Sequence, residues 1–261
     1  MSEIEQPRPR TISRLPGSEW RVDTLRLTAF PLALTEVEYS SWWETVFREP
    51  PEIQTTEPRR SRHREESSFE NGRLILQVEP RRIDWQWGSA QPGEDQIPNI
   101  ERFPGALDRF CEFMARWFEA EQCPILRRIA FGAVLLYPVD NREAGYRQLQ
   151  PYLHNLTLDP VHSSDLLYQI NRPRNSNAGL AGLRINRLSR WSVASFRPFS
   201  LEIGPLGTRS LSGSASFACR LEVDINTIAD SQGELDRRNL QPIFQELVGL
   251  GDEILREGDI P

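Results

Sequence analysis

The chain has 261 residues, enough for one large domain or two small ones whose core needs no disulfide or metal to hold it. All 31 of its basic side chains other than histidine are arginines, which excludes chemistry that needs an ammonium: a P-loop lysine, a pyridoxal Schiff base, a protein-kinase lysine or a Ser-Lys dyad. A formal net charge of −6 argues against a dedicated duplex-DNA binder, whose phosphate contacts demand a basic face.

The first residues, MSEIEQPRPR, have no apolar stretch of the secretory type, and no run is apolar enough to cross a membrane, so the sequence reads as cytoplasmic. Residues 1–20 form a Pro/Arg/Ser-rich arm. Val22 to Leu34 alternates Leu25, Leu27 and Ala29 against Arg26 and Thr28, which predicts a strand. Thr35 and Glu38 have capping-box spacing, and Tyr39, Trp42, Trp43, Val46 and Phe47 share one helical face before Pro50-Pro51. The segment from Gln54 to Glu66 has no apolar period and predicts a charged loop. Leu74, Leu76, Val78 and then Ile83, Trp85, Trp87 alternate with polar residues about Glu79-Pro80-Arg81-Arg82, which predicts a hairpin. From Pro104, the residues Leu107, Phe110, Cys111, Met114, Trp117 and Phe118 recur at helical spacing. Ile125 to Val139 is nearly continuous in apolar residues, as a central strand is.

Residues 21–140 thus read as a first α+β half in ferredoxin-like βαββαβ order. Residues 141–261 read as a second half: a short helix capped at Asp140 or Asn141, strands at 166–170, 183–188, 191–196 and 217–225, and a terminal helix from about Asn239. The fold class is α+β, two ferredoxin-like halves with antiparallel or mixed sheets flanked by helices. The Ser-rich stretch GPLGTRSLSGSAS, with Gly204, Gly207 and Gly213, reads as a connection between strands.

The order GRLILQVEPRRIDW, RIAFGAVLLYPV, the Leu-x-Val-Asp-Ile strand at Leu221 to Ile225, and LQPIFQELVGLGDEIL resembles a sporadically distributed bacterial family of two-halved proteins of about this length. The resemblance covers residues 70–256 as an order of elements. Where that family follows its mid-chain strand with Arg-Tyr-Ile-Asn, this chain has Gly132 to Pro138. The resemblance carries no catalytic signature. It implies a two-halved α+β chain of a bacterial mobile or defence-related locus.

Two histidines and two aspartates, His154, Asp159, His162 and Asp165, fall in one short segment. They are the candidates for acid-base work or metal binding, although the spacing fits no ligand motif and Asp159-Pro160 also opens a turn. Arg59, Arg60, Arg62 and Arg64 around His63 are candidates for an anionic partner, with Glu57, Glu65 and Glu66 beside them. Arg184, Arg187, Arg190 and Arg197, interleaved with Trp191 and Phe196, have the composition of a single-strand RNA platform and equally of a sheet face with arginine–carboxylate pairs. Trp20, Trp43 and Trp191 are the tryptophans to test for exposure. Asp224-Ile-Asn226 opens like a calcium loop and fails at Ile228 and Ala229. The three cysteines, Cys111, Cys123 and Cys219, form no Cys-x-x-Cys pair and read as reduced core residues.

These readings predict no cofactor and no metal. They predict a non-catalytic subunit or adaptor of a bacterial multi-protein system, with a protein partner. The alternative is an RNA-binding protein or metal-independent ribonuclease of paired ferredoxin-like type, with His154 or His162 as its acid-base group. Either way, the 154–165 segment joins the halves and is expected to point into the seam between them.

Overall fold

The computed structural model describes residues 19–34, 41–90, 97–178, 182–197, 199–204, 207–212, 214–228 and 233–260, with backbone alone for 199–204 and 207–212. The arm up to residue 18, the Thr35–Glu38 capping box, Tyr39, Gly213 and Ala229 lie outside these residues. The strands are β1 (Arg21–Pro31), β2 (Ile53–Glu57), β3 (Arg62–Phe69), β4 (Gly72–Glu79), β5 (Arg82–Ser89), β6 (Leu126–Val139), β7 (Leu167–Asn171), β8 (Arg174–Asn175), β9 (Arg184–Phe196), β10 (Phe199–Gly204), β11 (Gly207–Ser212) and β12 (Ser216–Thr227). The helices are α1 (Trp42–Phe47), α2 (Phe103–Glu119), α3 (Arg142–Leu149) and α4 (Arg237–Glu257).

One ten-stranded sheet runs in the order β2-β3-β4-β5-β1-β6-β12-β9-β7, with β8 also on β9, and its pairings are antiparallel. The order repeats. β1 leads through α1 into the β3-β4-β5 meander, which α2 closes; β6 leads through α3 into β7, β9 and β12, which α4 closes. The two runs meet where β1 pairs β6, Leu27 opposite Phe131. This is not the βαββαβ order expected for 21–140. The segment expected to be a charged loop, Gln54 to Glu66, forms most of β2 and β3 about a 3₁₀ turn at Pro58–Arg60. Its alternation is between polar residues of two kinds, so an apolar period of two never shows. Similarly, 183–188 and 191–196 are one strand, β9, and the Ser-rich connection contains β11, which pairs with β10 in a two-stranded ribbon.

The four helices among the described residues lie on one face of the sheet, and the hydrophobic core lies between. Trp85 stacks with Trp43 of α1 and meets Trp117 of α2 edge-on. Phe131 meets Phe244 of α4. Gly145 of α3 lies against Val193, and a Cβ there would come within 2.7 Å of Val193 Cγ2. The apolar positions that alternate along β1, β4, β5 and β12, such as Leu27, Leu76, Trp85 and Leu221, are buried on this side. Each large side chain so buried contributes about 1.5–3 kcal/mol. Trp20, Trp43 and Trp191, singled out for exposure, are all in the core at 0%, 2% and 0%, because Trp191 falls on the helix-covered face, Trp20 packs against Trp191 and Tyr152, and Trp43 is on the side of α1 that meets Trp85. Arg237, at the start of α4, donates to the carbonyls of Phe118, Glu119, Ala120 and Glu121 at the end of α2, a cation placed on the negative end of that helix. No described helix is long and apolar enough to cross a membrane.

Candidate functional site

Strand alternation sends every second side chain to the face away from the helices. That face carries Arg62, Arg64 and Glu66 on β3, Arg73 and Glu79 on β4, Arg82 and Asp84 on β5, and Arg26 on β1. It continues with Arg128 on β6, Arg220, Glu222 and Asp224 on β12, and Arg184 and Arg190 on β9. Arginines outnumber carboxylates there, on a chain whose net charge is negative.

Over β3, β4 and β5 the charges are matched. Arg62 pairs with Glu79 at 2.9 Å, Arg64 and Arg73 share Glu66 at 2.6 and 2.8 Å, and Arg82 pairs with Asp84 at 2.6 Å. The Asp84 carboxylate, through its hydrogen bond, raises the pKa of Arg82. Over β1, β6, β12 and β9 they are not. Arg220 and Arg190 share Glu222, Arg190 at 3.8 Å. Arg26 reaches Asp224 only at 3.9 Å, and its buried Nε has no hydrogen-bond partner among the described residues. Arg128 donates to Asn226 at 2.8 Å and lies over the Phe30 ring, with its Nε also without an acceptor. A shallow depression of about 230 Å³ opens here between Thr24, Arg26, Arg190, Glu222 and Asp224, floored by Gly132. Gly132 lets the Arg26 guanidinium lie flat on the backbone, since a Cβ there would come within 3.2 Å of Arg26 Nη2.

Two polar clusters lie on the helix side. In the first, His63 Nε2 is 3.1 Å from Glu65 Oε1, His63 Nδ1 is 3.0 Å from Thr56 Oγ1, and Gln54 donates to Glu65 at 3.2 Å. Glu65 is buried, which raises its pKa against the opposing pull of His63. Its Oε2 has no hydrogen-bond partner among the described residues. In the second, Arg187 is buried beside Glu253 at 3.6 Å, and Glu253 also meets Arg174 at 3.4 Å. Burial lowers the pKa of Arg187. Next to it, Asp259 accepts from Arg172 at 2.5 and 2.9 Å and from the Tyr168 hydroxyl. Burial would raise the Asp259 carboxyl, but these bonds outweigh it and hold it below the usual range.

The sequence candidates are spread over these places rather than gathered in one. Arg59 and Arg60 sit exposed on the 3₁₀ turn, Arg60 paired with Glu57 at 3.2 Å, while Arg62 and Arg64 belong to the matched part of the open face. Arg184 and Arg190 lie on the open face, but Arg187 and Trp191 point the other way into the core. The interleaving that resembled a stacking platform is the alternation of one strand, so Trp191 faces the core with Arg187 while Arg184, Arg190 and Phe196 take the open-face positions. The 154–165 segment does not point into the seam, which is filled by the β1–β6 pairing. His154 is exposed and bonds the Glu257 carbonyl at 2.9 Å. His162 bonds Asp159 at 2.9 Å on the surface, and the backbone N–H groups of Val161 and His162 also donate to Asp159. These bonds, first those from His162, lower the pKa of Asp159. Asp165 is exposed with φ 54°. Among the described residues no three His, Cys, Asp or Glu side chains gather as a metal site. Burial pushes the thiols of Cys111, Cys123 and Cys219 up to about 12, so they are not thiolates at neutral pH.

Sequence reasoning missed Arg26, Glu222 and Arg220 as neighbours, although their alternation with Leu25, Leu27, Leu221 and Val223 placed them on a polar face. It also missed Glu253 and Asp259, whose partners lie far away in sequence. No family model matches this chain and no curated protein matches it.

Proposed function

We propose that this protein is a non-catalytic interaction subunit, an adaptor of a bacterial multi-protein system with a place in defence, and that the helix-free face of its sheet receives a protein partner. The observation that carries the reading is the character of that face: carried by one ten-stranded sheet, crossed by ion pairs, and rich in arginine, the cation most at home in interfaces. The repeated strand–helix order supports the two-halved bacterial family as the setting. An RNA-binding role draws on the same arginines. Against it, Trp191 is buried and, among the described residues, the open-face positions of β1, β6, β12 and β9 hold few rings, Phe30 under Arg128 and Phe196 at the end of β9, whereas single-strand platforms stack successive bases on aromatic side chains.

The test is affinity purification of the full chain from its native host, repeated with Arg26→Glu/Arg190→Glu and with His154→Ala/His162→Ala. The reading expects a protein that co-purifies with the wild type and the histidine variant and is lost with the arginine variant. A partner retained by the arginine variant, or a cellular activity abolished by the histidine substitutions, contradicts it.

A further inference from the structure

We infer that the partner presents an acidic protein surface and that it docks over β1, β6, β12 and β9, where guanidiniums exceed carboxylates. This rests on the reading of the chain as an interaction subunit and adds the chemistry of the partner and the half of the face that selects it.

The surplus is local. Arg26, Arg128, Arg184, Arg190 and Arg220 face the carboxylates Glu222 and Asp224, and no carboxylate lies within ion-pair distance of Arg128 or Arg184 among the described residues. Among the described residues Arg26 holds its only carboxylate at 3.9 Å, too far for a hydrogen bond, with its side chain 36% exposed. A planar guanidinium laid flat by Gly132, partly exposed and with Nη2 beyond hydrogen-bond reach of Asp224, is suited to receive a carboxylate from outside on its Nη end. Arg190, on the far wall of the same depression, spends Nε on Gln169 at 2.9 Å and keeps only a loose 3.8 Å contact with Glu222.

The carboxylates decide between classes of partner. Glu222 and Asp224 lie on the strand between the arginines of β6 and β9. A phosphate backbone, negative along its whole length, would meet both of them, at a cost that grows once water is excluded. A protein surface can instead set acids over Arg26 and Arg190 and a cation over β12. A second copy of this chain, face to face, would bring arginine surplus against arginine surplus, which like-charge repulsion opposes.

The probe is a labelled peptide of Glu-Glu-Lys-Glu-Glu repeats, titrated by fluorescence anisotropy against the full chain at low salt, with its Lys-Lys-Glu-Lys-Lys counterpart and oligouridylate RNA as comparisons. We expect the acidic peptide to bind at least about tenfold more tightly than the basic one, as opposite-sign pairing implies. Arg26→Gln/Arg190→Gln should weaken it about tenfold, while Arg64→Gln/Arg73→Gln, in the matched half, should change it less than about twofold. Unchanged thermal unfolding of both variants shows that they fold. Equal or tighter binding of the basic peptide overturns the inference, and so does tighter binding of oligouridylate that is lost with Arg26 and Arg190. If the acidic peptide fails to bind while the native partner is still released by Arg26→Glu/Arg190→Glu, the acidic chemistry falls and the interaction reading stands. If neither is seen, both fall.

Discussion

The two runs of the chain build the same order of strands and helices and then charge it differently. Over β3, β4 and β5 four open-face arginines meet three carboxylates, each arginine within 2.9 Å of one, whereas over β1, β6, β12 and β9 five arginines meet two: Arg26 and Arg190 hold theirs at 3.9 and 3.8 Å, and Arg128 and Arg184 have none among the described residues. The helix side differs as well. The first run buries a carboxylate with a bare oxygen, Glu65, and the second buries a carboxylate with its bonds filled, Asp259. One topology therefore supports a self-satisfied half and a half with unused cations, and function is to be sought in the second.

The comparison breaks most visibly at the buried carboxylates. Asp259→Ala removes an acceptor that is 1% exposed and strands Arg172, so chemical denaturation should show a loss of about 3 kcal/mol, the usual result of removing one member of a buried pair. Glu65→Gln should instead change stability by less than about 1 kcal/mol, because the amide can keep one bond and no longer buries a charge. Gly258→Ala tests the residue before Asp259, where α4 ends: φ is 79° and a Cβ would strike the Tyr152 carbonyl. A loss of about 2 kcal/mol is expected there.

Acid titration sharpens the contrast, since the two groups act in opposite directions. Asp259 is lowered from 3.8, so its stabilisation is present above that value and is lost as pH falls through the still lower folded-state value. Glu65 is raised from 4.5, so its share of stability is greatest below that value and declines as pH rises through the folded-state value. Asp259→Asn should flatten the acid limb of the stability curve and Glu65→Gln the decline above pH 4.5. Unfolding midpoints measured across this range that shift in parallel for both variants would contradict the assignment. A smaller effect is expected at the floor of the depression. Gly132→Ala lifts the Arg26 guanidinium by a few tenths of an ångström and should weaken the partner about twofold to threefold, with little change in stability.

Much of this architecture was legible. The spacing of Leu107, Phe110, Met114 and Trp117 gave α2, the alternation about Pro80-Arg81 gave β4 and β5, and Asn141 caps α3 as expected, its side chain accepting from the Ala144 N–H at 2.9 Å. The strands hidden in 53–69 were not legible, because β3, one strand in from the edge, buries His63 and Glu65 where a central strand buries leucine. The open face was half legible. The alternation of Arg26 with Leu25 and Leu27 marks it as polar, but which arginines find carboxylates depends on strand order, and β6 meets β12 across a long stretch of intervening sequence. The 154–165 cluster is the reverse case. Proximity in sequence suggested a site, and the chain spreads those side chains over its surface to cap turns and the end of α4.

The central claim can be read one arginine at a time, because the chain has no lysine to compete for an arginine-directed dicarbonyl reagent. Labelling of the full chain alone and with its co-purified partner, followed by mass spectrometry of each site, should show protection of Arg26, Arg184, Arg190 and Arg220 and unchanged reactivity at Arg59, Arg64 and Arg73. Protection confined to Arg59, Arg60, Arg62 and Arg64, with Arg26 and Arg190 as reactive as in the free chain, would contradict it.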